Sequence, residues 1–187
     1  QESLIAIGAS TGGTIALRDL LTPLPEEMPG IVIVQHMPKA FTKSFSESLD
    51  KDCRLKVREA CEGEKVERGK VLISPGDQHM ILKVDGNGYS VTMNEGELVN
   101  RHRPSVDVLF RSVANIAGSN SIGVILTGMG DDGAKGLVEM HEAGSHTLAQ
   151  DEDSCVVFGM PRKAMENGAV DEVLNLEEIS KRLIELS

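Results

Sequence analysis

Two short runs, Leu4-Ile5-Ala6-Ile7 and Ile31-Val32-Ile33-Val34, are apolar at every position. A strand with one wet face alternates apolar and polar residues, so a run that does not alternate is covered on both sides. Between the two, Ile15, Leu17, Leu20 and Leu21 recur at helical spacing until Pro23 and Pro25 stop the pattern. Two doubly buried strands joined by a helix confine the chain to an α/β fold: a doubly wound, mostly parallel sheet with helices on both faces. Residues 122–126 supply another strand of the same kind.

The remaining pieces fit around that frame. A helix is expected from about Phe41 to Leu49. Residues 55–93 hold short strand-like pieces, and Asp85-Gly86-Asn87-Gly88 marks a hairpin turn. This region reads as a short antiparallel hairpin extension of the sheet, or a flap beside it. Ser105 can cap a helix with the face Val106, Leu109, Phe110, Val113, Ile116 and Ala117, closed by Gly118. A glycine-rich turn, Thr127-Gly128-Met129-Gly130-Asp131-Asp132-Gly133, leads into a helix running through Met140. A short strand at 147–149 and a short helix at 162–166 follow. Asn175 with Glu178 three residues on makes a capping box for a final helix presenting Leu176, Ile179, Leu183 and Leu186.

Composition narrows the function. The 187 residues suit one domain with a sizeable core. A net charge of −10 and an aromatic share of 3% argue against nucleic acid, which wants a basic surface and stacking platforms. Cys53, Cys61 and Cys155 form no C-x-x-C pair and so predict neither a disulfide framework nor a zinc site. No apolar run reaches the length of a membrane span, and no targeting segment is visible. A soluble, cytoplasmic protein without metal or organic cofactor is expected. The abrupt start, with a buried strand beginning at Leu4, suggests a piece cut from a longer protein.

Three strand ends carry chemistry. Gly8-Ala9-Ser10-Thr11-Gly12 fits the G-x-S-x-G nucleophile elbow, in which a tight strand-to-helix turn exposes the serine hydroxyl. His36 follows the second strand, and Asp131 and Asp132 follow the late one. Ligand sites of open parallel sheets form outside the carboxyl ends of the strands, so these turns are expected to meet there. A serine hydroxyl needs an imidazole to take its proton, and the imidazole needs a carboxylate to fix its tautomer. A Ser10–His36 hydrogen bond is therefore expected. Spacing alone does not choose between Asp131 and Asp132, and either could instead cap the following helix. His79 is a rival base, whereas His102, His141 and His146 read as surface or helix positions. Arg101, His102 and Arg103 read as a solvated loop or a docking cluster. Two other classes fit parts of the pattern: a nucleotide-binding, Rossmann-like domain, which would want a glycine where Ser10 stands, and a non-catalytic interaction module.

Six ordered motifs carry a family resemblance: I-G-A-S-T-G-G at 7–13, V-Q-H-M at 34–37, S-P-G-D-Q-H-M at 74–80, R-P-S-V-D-V-L-F at 103–110, T-G-M-G-D-D-G-A at 127–134 and F-G-M-P at 158–161. Together they resemble the catalytic domain of the bacterial chemotaxis protein-glutamate methylesterase, CheB, over residues 1–187. The resemblance implies a serine hydrolase that removes methyl groups from methylated glutamates on chemoreceptor signalling helices and also deamidates particular receptor glutamines. It puts the nucleophile on Ser10, the base on His36 and the acid on Asp132. Thr11 and Met129 match residues lining the family's site, with backbone N–H groups suited to an oxyanion hole. His79 matches a histidine in a loop beside the site. The family usually carries a phospho-accepting receiver domain ahead of the catalytic one, for which this sequence has no room.

Overall fold

The unbroken apolar runs become strands buried along their whole length. β1 (Leu4–Ala9) and β2 (Gly30–Gln35) pair in parallel, with Ala9 opposite Gln35. The computed structural model describes residues 2–187. In chain order its elements are β1, α1 (Gly13–Leu21), β2, α2 (Lys39–Asp52), β3 (Lys56–Glu59), β4 (Lys65–Val66), β5 (Lys70–Ile73), β6 (His79–Asp85), β7 (Gly88–Asn94), α3 (Val106–Ile116), β8 (Ser121–Ile125), α4 (Ala134–Glu142), β9 (His146–Gln150), α5 (Met160–Glu166), β10 (Glu172–Leu174) and α6 (Leu176–Leu186).

Seven strands form one all-parallel sheet in the order β10-β9-β8-β1-β2-β5-β3. Alternate residues of β1 face opposite layers. Leu4 and Ala6 pack with α3, α4 and α5 through Leu109, Phe110, Leu137 and Met160. Ile5 and Ile7 pack with α1, α2 and α6 through Leu17, Leu20, Leu49, Ile179 and Leu183. Each such large side chain taken fully out of water is worth about 1.5–3 kcal/mol, and both faces of β1 are lined this way. The chain leaves β1 for β2 on one side and comes back to β8 on the other, so a crevice opens beyond the ends of β1 and β8.

The middle of the chain divides in two. β4, β7 and β6 form a separate antiparallel sheet, with the expected hairpin closing at Asp85 opposite Gly88. It packs on the α3 side through Met80, Leu82, Tyr89 and Val91. β3 and β5 were expected in that antiparallel unit, but they extend the parallel sheet beyond β2. A three-residue run such as Val71-Leu72-Ile73 has too little pattern to announce its partner; burial of all three on β2 decides it.

Two smaller expectations also change. Ile15 is exposed, its place on the inner face of α1 being taken by Ala16. Ser105 stands at the N-cap of α3 without capping it through its side chain. The Asn175–Glu178 capping box of α6 is formed in both directions. No helix among the described residues is long and apolar enough to cross a membrane.

Candidate active site

Ser10 is the first residue beyond β1. Its N–H donates to the Thr127 carbonyl at 2.9 Å, while its carbonyl accepts from the Gly13 N–H at 2.7 Å and from Gln35 Nε2 at 2.9 Å. The two flanking glycines serve different ends. Gly12 turns the chain into α1 at φ 82°, a left-handed conformation that costs a residue with a Cβ. Gly8 lies within β1 and admits α3: a Cβ there would stand 2.3 Å from Val106 Cγ1. The turn leaves Ser10 on the wall of a cavity of about 450 Å³, shared with Thr11, Met129, Asn100, Arg101, His102 and Asp132.

His36 extends β2 by one step, its N–H bonded to the Ala9 carbonyl at 3.1 Å, so it stands beside Ser10 at neighbouring strand ends. Its ring Nε2 lies 2.6 Å from Asp132 Oδ2. The Asp132 carboxylate is only 1% exposed and collects further donors: Asn100 Nδ2 at 2.8 Å, Ser105 Oγ at 2.7 Å, and the backbone N–H groups of Val106 at 2.8 Å and Asp107 at 3.1 Å. Burial alone would push its pKa up. The hydrogen bonds from His36, Asn100, Val106 and Ser105 outweigh burial and bring it down to about 2. An ionised carboxylate only accepts, so His36 Nε2 carries the proton and donates it. The other ring nitrogen, Nδ1, is buried and without a partner among the described residues.

The expected Ser10–His36 hydrogen bond is not formed, since Ser10 Oγ has no partner among the described residues. Hydroxyl and imidazole thus stand at neighbouring strand ends without a hydrogen bond between them.

The CheB methylesterase family model matches residues 5–183. The chain belongs to the CheB methylesterase family. A protein of Pectobacterium atrosepticum, named protein-glutamate methylesterase/protein-glutamine glutaminase, is 59% identical over 184 residues, which are 98% of this chain and 53% of that one. A second such protein, from Rhizobium johnstonii, is 56% identical over 183 residues, covering 98% and 50%. The chain thus spans about half the length of the curated relatives it matches. The crystal structure of the Thermotoga maritima CheB methylesterase catalytic domain superposes with a TM-score of 0.97 at 42% identity, covering 100% of both chains.

Within this CheB-type fold each remaining candidate has a definite place. Asp131 is exposed, whereas Asp132 is buried against His36, so burial separates two residues that spacing alone could not. Thr11 and Met129 both line the cavity, and neither backbone N–H has a partner among the described residues. The Ser10 N–H, held by Thr127, is not free for an incoming oxygen. His79 is buried behind Ser105: its Nε2 meets the Glu97 carbonyl at 2.8 Å and its Nδ1 accepts from the Ser105 N–H at 3.1 Å. Both ring nitrogens are thus occupied by backbone partners. Among the described residues no group of three or more His, Cys, Asp or Glu side chains could hold a metal ion.

The Arg101-His102-Arg103 cluster separates into three tasks. Arg101 is exposed and lines the cavity. Arg103 bonds Asp77 and the carbonyls of Glu95 and Gly96, tying loops together. His102, expected at the surface, stacks on His36 with ring centroids 3.6 Å apart and planes 8° from parallel. Burial, then the neighbouring His36, holds its pKa below the usual imidazole value, against the opposing pull of Asp132 and Asp131. The His102 ring thus braces His36 from one side. Neither this stack nor the Asn100 contact was visible in the sequence, where both residues sit in a polar loop with no motif of catalytic spacing.

Proposed function

We propose that this chain is the catalytic unit of a protein-glutamate methylesterase, a serine hydrolase acting on methyl-esterified glutamates of chemoreceptor signalling helices and on particular receptor glutamines. The observation that carries the reading is the 2.6 Å contact between His36 and a buried, ionised Asp132 at the cavity that Ser10 lines. The names of the relatives support the glutamate-ester and glutamine chemistry, and the chemoreceptor substrate follows from the family resemblance.

In this reading His36 Nδ1 takes the Ser10 proton as Oγ attacks the ester carbonyl. Asp132 stabilises the imidazolium through Nε2–H. The Thr11 and Met129 N–H groups receive the oxyanion. The imidazolium then protonates the departing methoxide, releasing methanol and leaving a glutamyl ester on Ser10. Water, deprotonated by the same nitrogen, cleaves that ester and regenerates the serine. With glutamine the leaving group is ammonia and the second half is unchanged. Every proton has a carrier in His36, so the scheme closes on this chain's own side chains. In this reading the protein works in the cytoplasm, a reducing medium that its three free cysteines suit. The half of the relatives that this chain does not span is assigned to a receiver domain controlling the site.

Covalent labelling by a fluorophosphonate tests the nucleophile. Labelling should map to Ser10 and vanish in Ser10→Ala, which should also stop methanol release from a methylated receptor while leaving receptor binding. Labelling elsewhere, or a Ser10→Ala variant that keeps much of the rate, would remove Ser10 from the role.

A further inference from the structure

The turn at Asn100-Arg101 is tightly built. Val99 and His102 exchange two backbone hydrogen bonds of 2.9 Å, so only two residues make the reversal, and both are left-handed, at φ 54° and 68°. Asparagine tolerates that region; arginine adopts it at a cost of about 1 kcal/mol. The flanks are pinned by Arg103 to Asp77 on one side and by the Glu97 carbonyl to His79 on the other. The strained reversal delivers one group inward. Asn100 Nδ2 lies 2.8 Å from Asp132 Oδ1 and 2.6 Å from Asp107 Oδ2. A side-chain amide nitrogen has two hydrogens, and here each faces a different carboxylate.

Asp107 has no part in the scheme above. It is buried in the first turn of α3, and its other oxygen accepts from the Gly136 N–H at 2.7 Å. Burial, with the charge of Asp132 adding to it, raises its pKa against the hydrogen bonds from Gly136 and Asn100. Two carboxylates in one small space repel, and each makes the other more basic unless donors intervene.

We infer that Asn100 is a positioning residue, whose amide separates Asp107 from Asp132 and fixes Asp132 Oδ1 so that Oδ2 alone addresses His36. The inference rests on the reading of Asp132 as the orienting acid. Other charged or titratable groups facing the pair are His36 at the end of β2, His102 and Arg101 in the turn, Asp131 ahead of α4, and Lys135 and Lys163 on α4 and α5. None of these donates to Asp132 Oδ1. Without the amide, Asp132 becomes more basic and the charge of Asp107 acts on the imidazole unscreened. Both effects favour the imidazolium, so the acid limb of activity moves to higher pH.

Asn100→Gly is the informative variant, because glycine keeps the left-handed backbone and removes only the side chain; Asn100→Asp keeps both shape and backbone while replacing donors by a charge. Methanol release from a methylated chemoreceptor, and the His36 imidazole titration followed by nitrogen NMR, are measured against pH. In Asn100→Gly kcat should fall roughly tenfold with KM little changed. The acid limb and the His36 midpoint should both rise by about half a unit or more. Asn100→Asp should move them further, and adding Asp107→Asn to Asn100→Gly should bring both most of the way back. An acid limb and midpoint that superimpose on those of the unaltered protein would overturn the inference. So would a raised KM at constant kcat, which would make Asn100 a substrate contact. Asp132→Asn run alongside separates the two readings: if it kept full kcat the orienting-acid role would fall, whereas if it were crippled and Asn100→Gly were not, only the role of Asn100 would.

Discussion

Asp132 does two things with one carboxylate. It accepts from His36, and it receives the first two N–H groups of α3, Val106 and Asp107, which would otherwise be orphaned at the helix start. A charged acceptor at a helix N-terminus is stronger than a hydroxyl, so Ser105 turns its own Oγ to donate to Asp132 instead of capping. Asp132→Asn swaps an acceptor for a donor at a site ringed by donors. Its kcat should fall by about four orders of magnitude, as tautomer-breaking changes in such triads do. Asp131→Asn, at an exposed position, should keep most of the rate; steady-state methanol release distinguishes the two. The pattern T-G-M-G-D-D-G located this turn; spacing did not separate the two aspartates, the family resemblance pointed to the second, and burial sets that one against His36. Asn100 and His102 were illegible because Asp132 and His36, which they meet, lie 32 and 66 residues away, and nothing local in a polar loop encodes a contact made through space.

At the scale of elements, β1 and α3 explain why Gly8 is in the serine motif. The glycine lets the first turn of α3 lie against the strand, and that turn supplies the N–H groups that hold Asp132. Gly8→Ala should cost about 1–3 kcal/mol in urea unfolding, the usual range for overpacking a tight contact. Because the shift falls on Val106, kcat should drop as well in protein that remains folded. Helices and strands were legible wherever periodicity was long or absent over a whole run, as in β1, β2 and α3. The α6 cap was legible because Asn175 and Glu178 are local partners. β3 and β5 were misplaced because three or four residues leave strand direction undetermined.

Across the whole molecule, the buried carboxylates tie stability to pH. The Asp132 pKa of about 2 lies below an unfolded value near 3.8, so its contribution is complete above the unfolded pKa and is lost as pH falls through the folded one. That contribution is on the order of 2 kcal/mol. Asp107 has the opposite sign: its pKa is raised, so protonating it favours the folded state as pH falls toward the unfolded value. Urea unfolding at stepped pH should therefore show stability held or slightly gained down to about pH 4, then falling toward pH 2. Asp132→Asn should show a smaller lower step, the remainder coming from Glu64, Asp77, Asp171 and Glu172, which are also held below the usual carboxylate range. A wild-type curve with no loss in that window would show that Asp132 is not held ionised.

Sequence alone determined that this chain builds a parallel α/β sheet and that a serine, a histidine and an aspartate pair stand at strand ends, because doubly buried strands and glycine turns are local facts of side-chain polarity and backbone freedom. Only the tertiary structure decided which ring nitrogen of His36 meets Asp132 and which does not, that His102 stacks on the imidazole, and that one amide lies between two carboxylates. Those outcomes depend on strand order and on the approach of α3 to β1, which bring residues far apart in the chain within a hydrogen bond of one another.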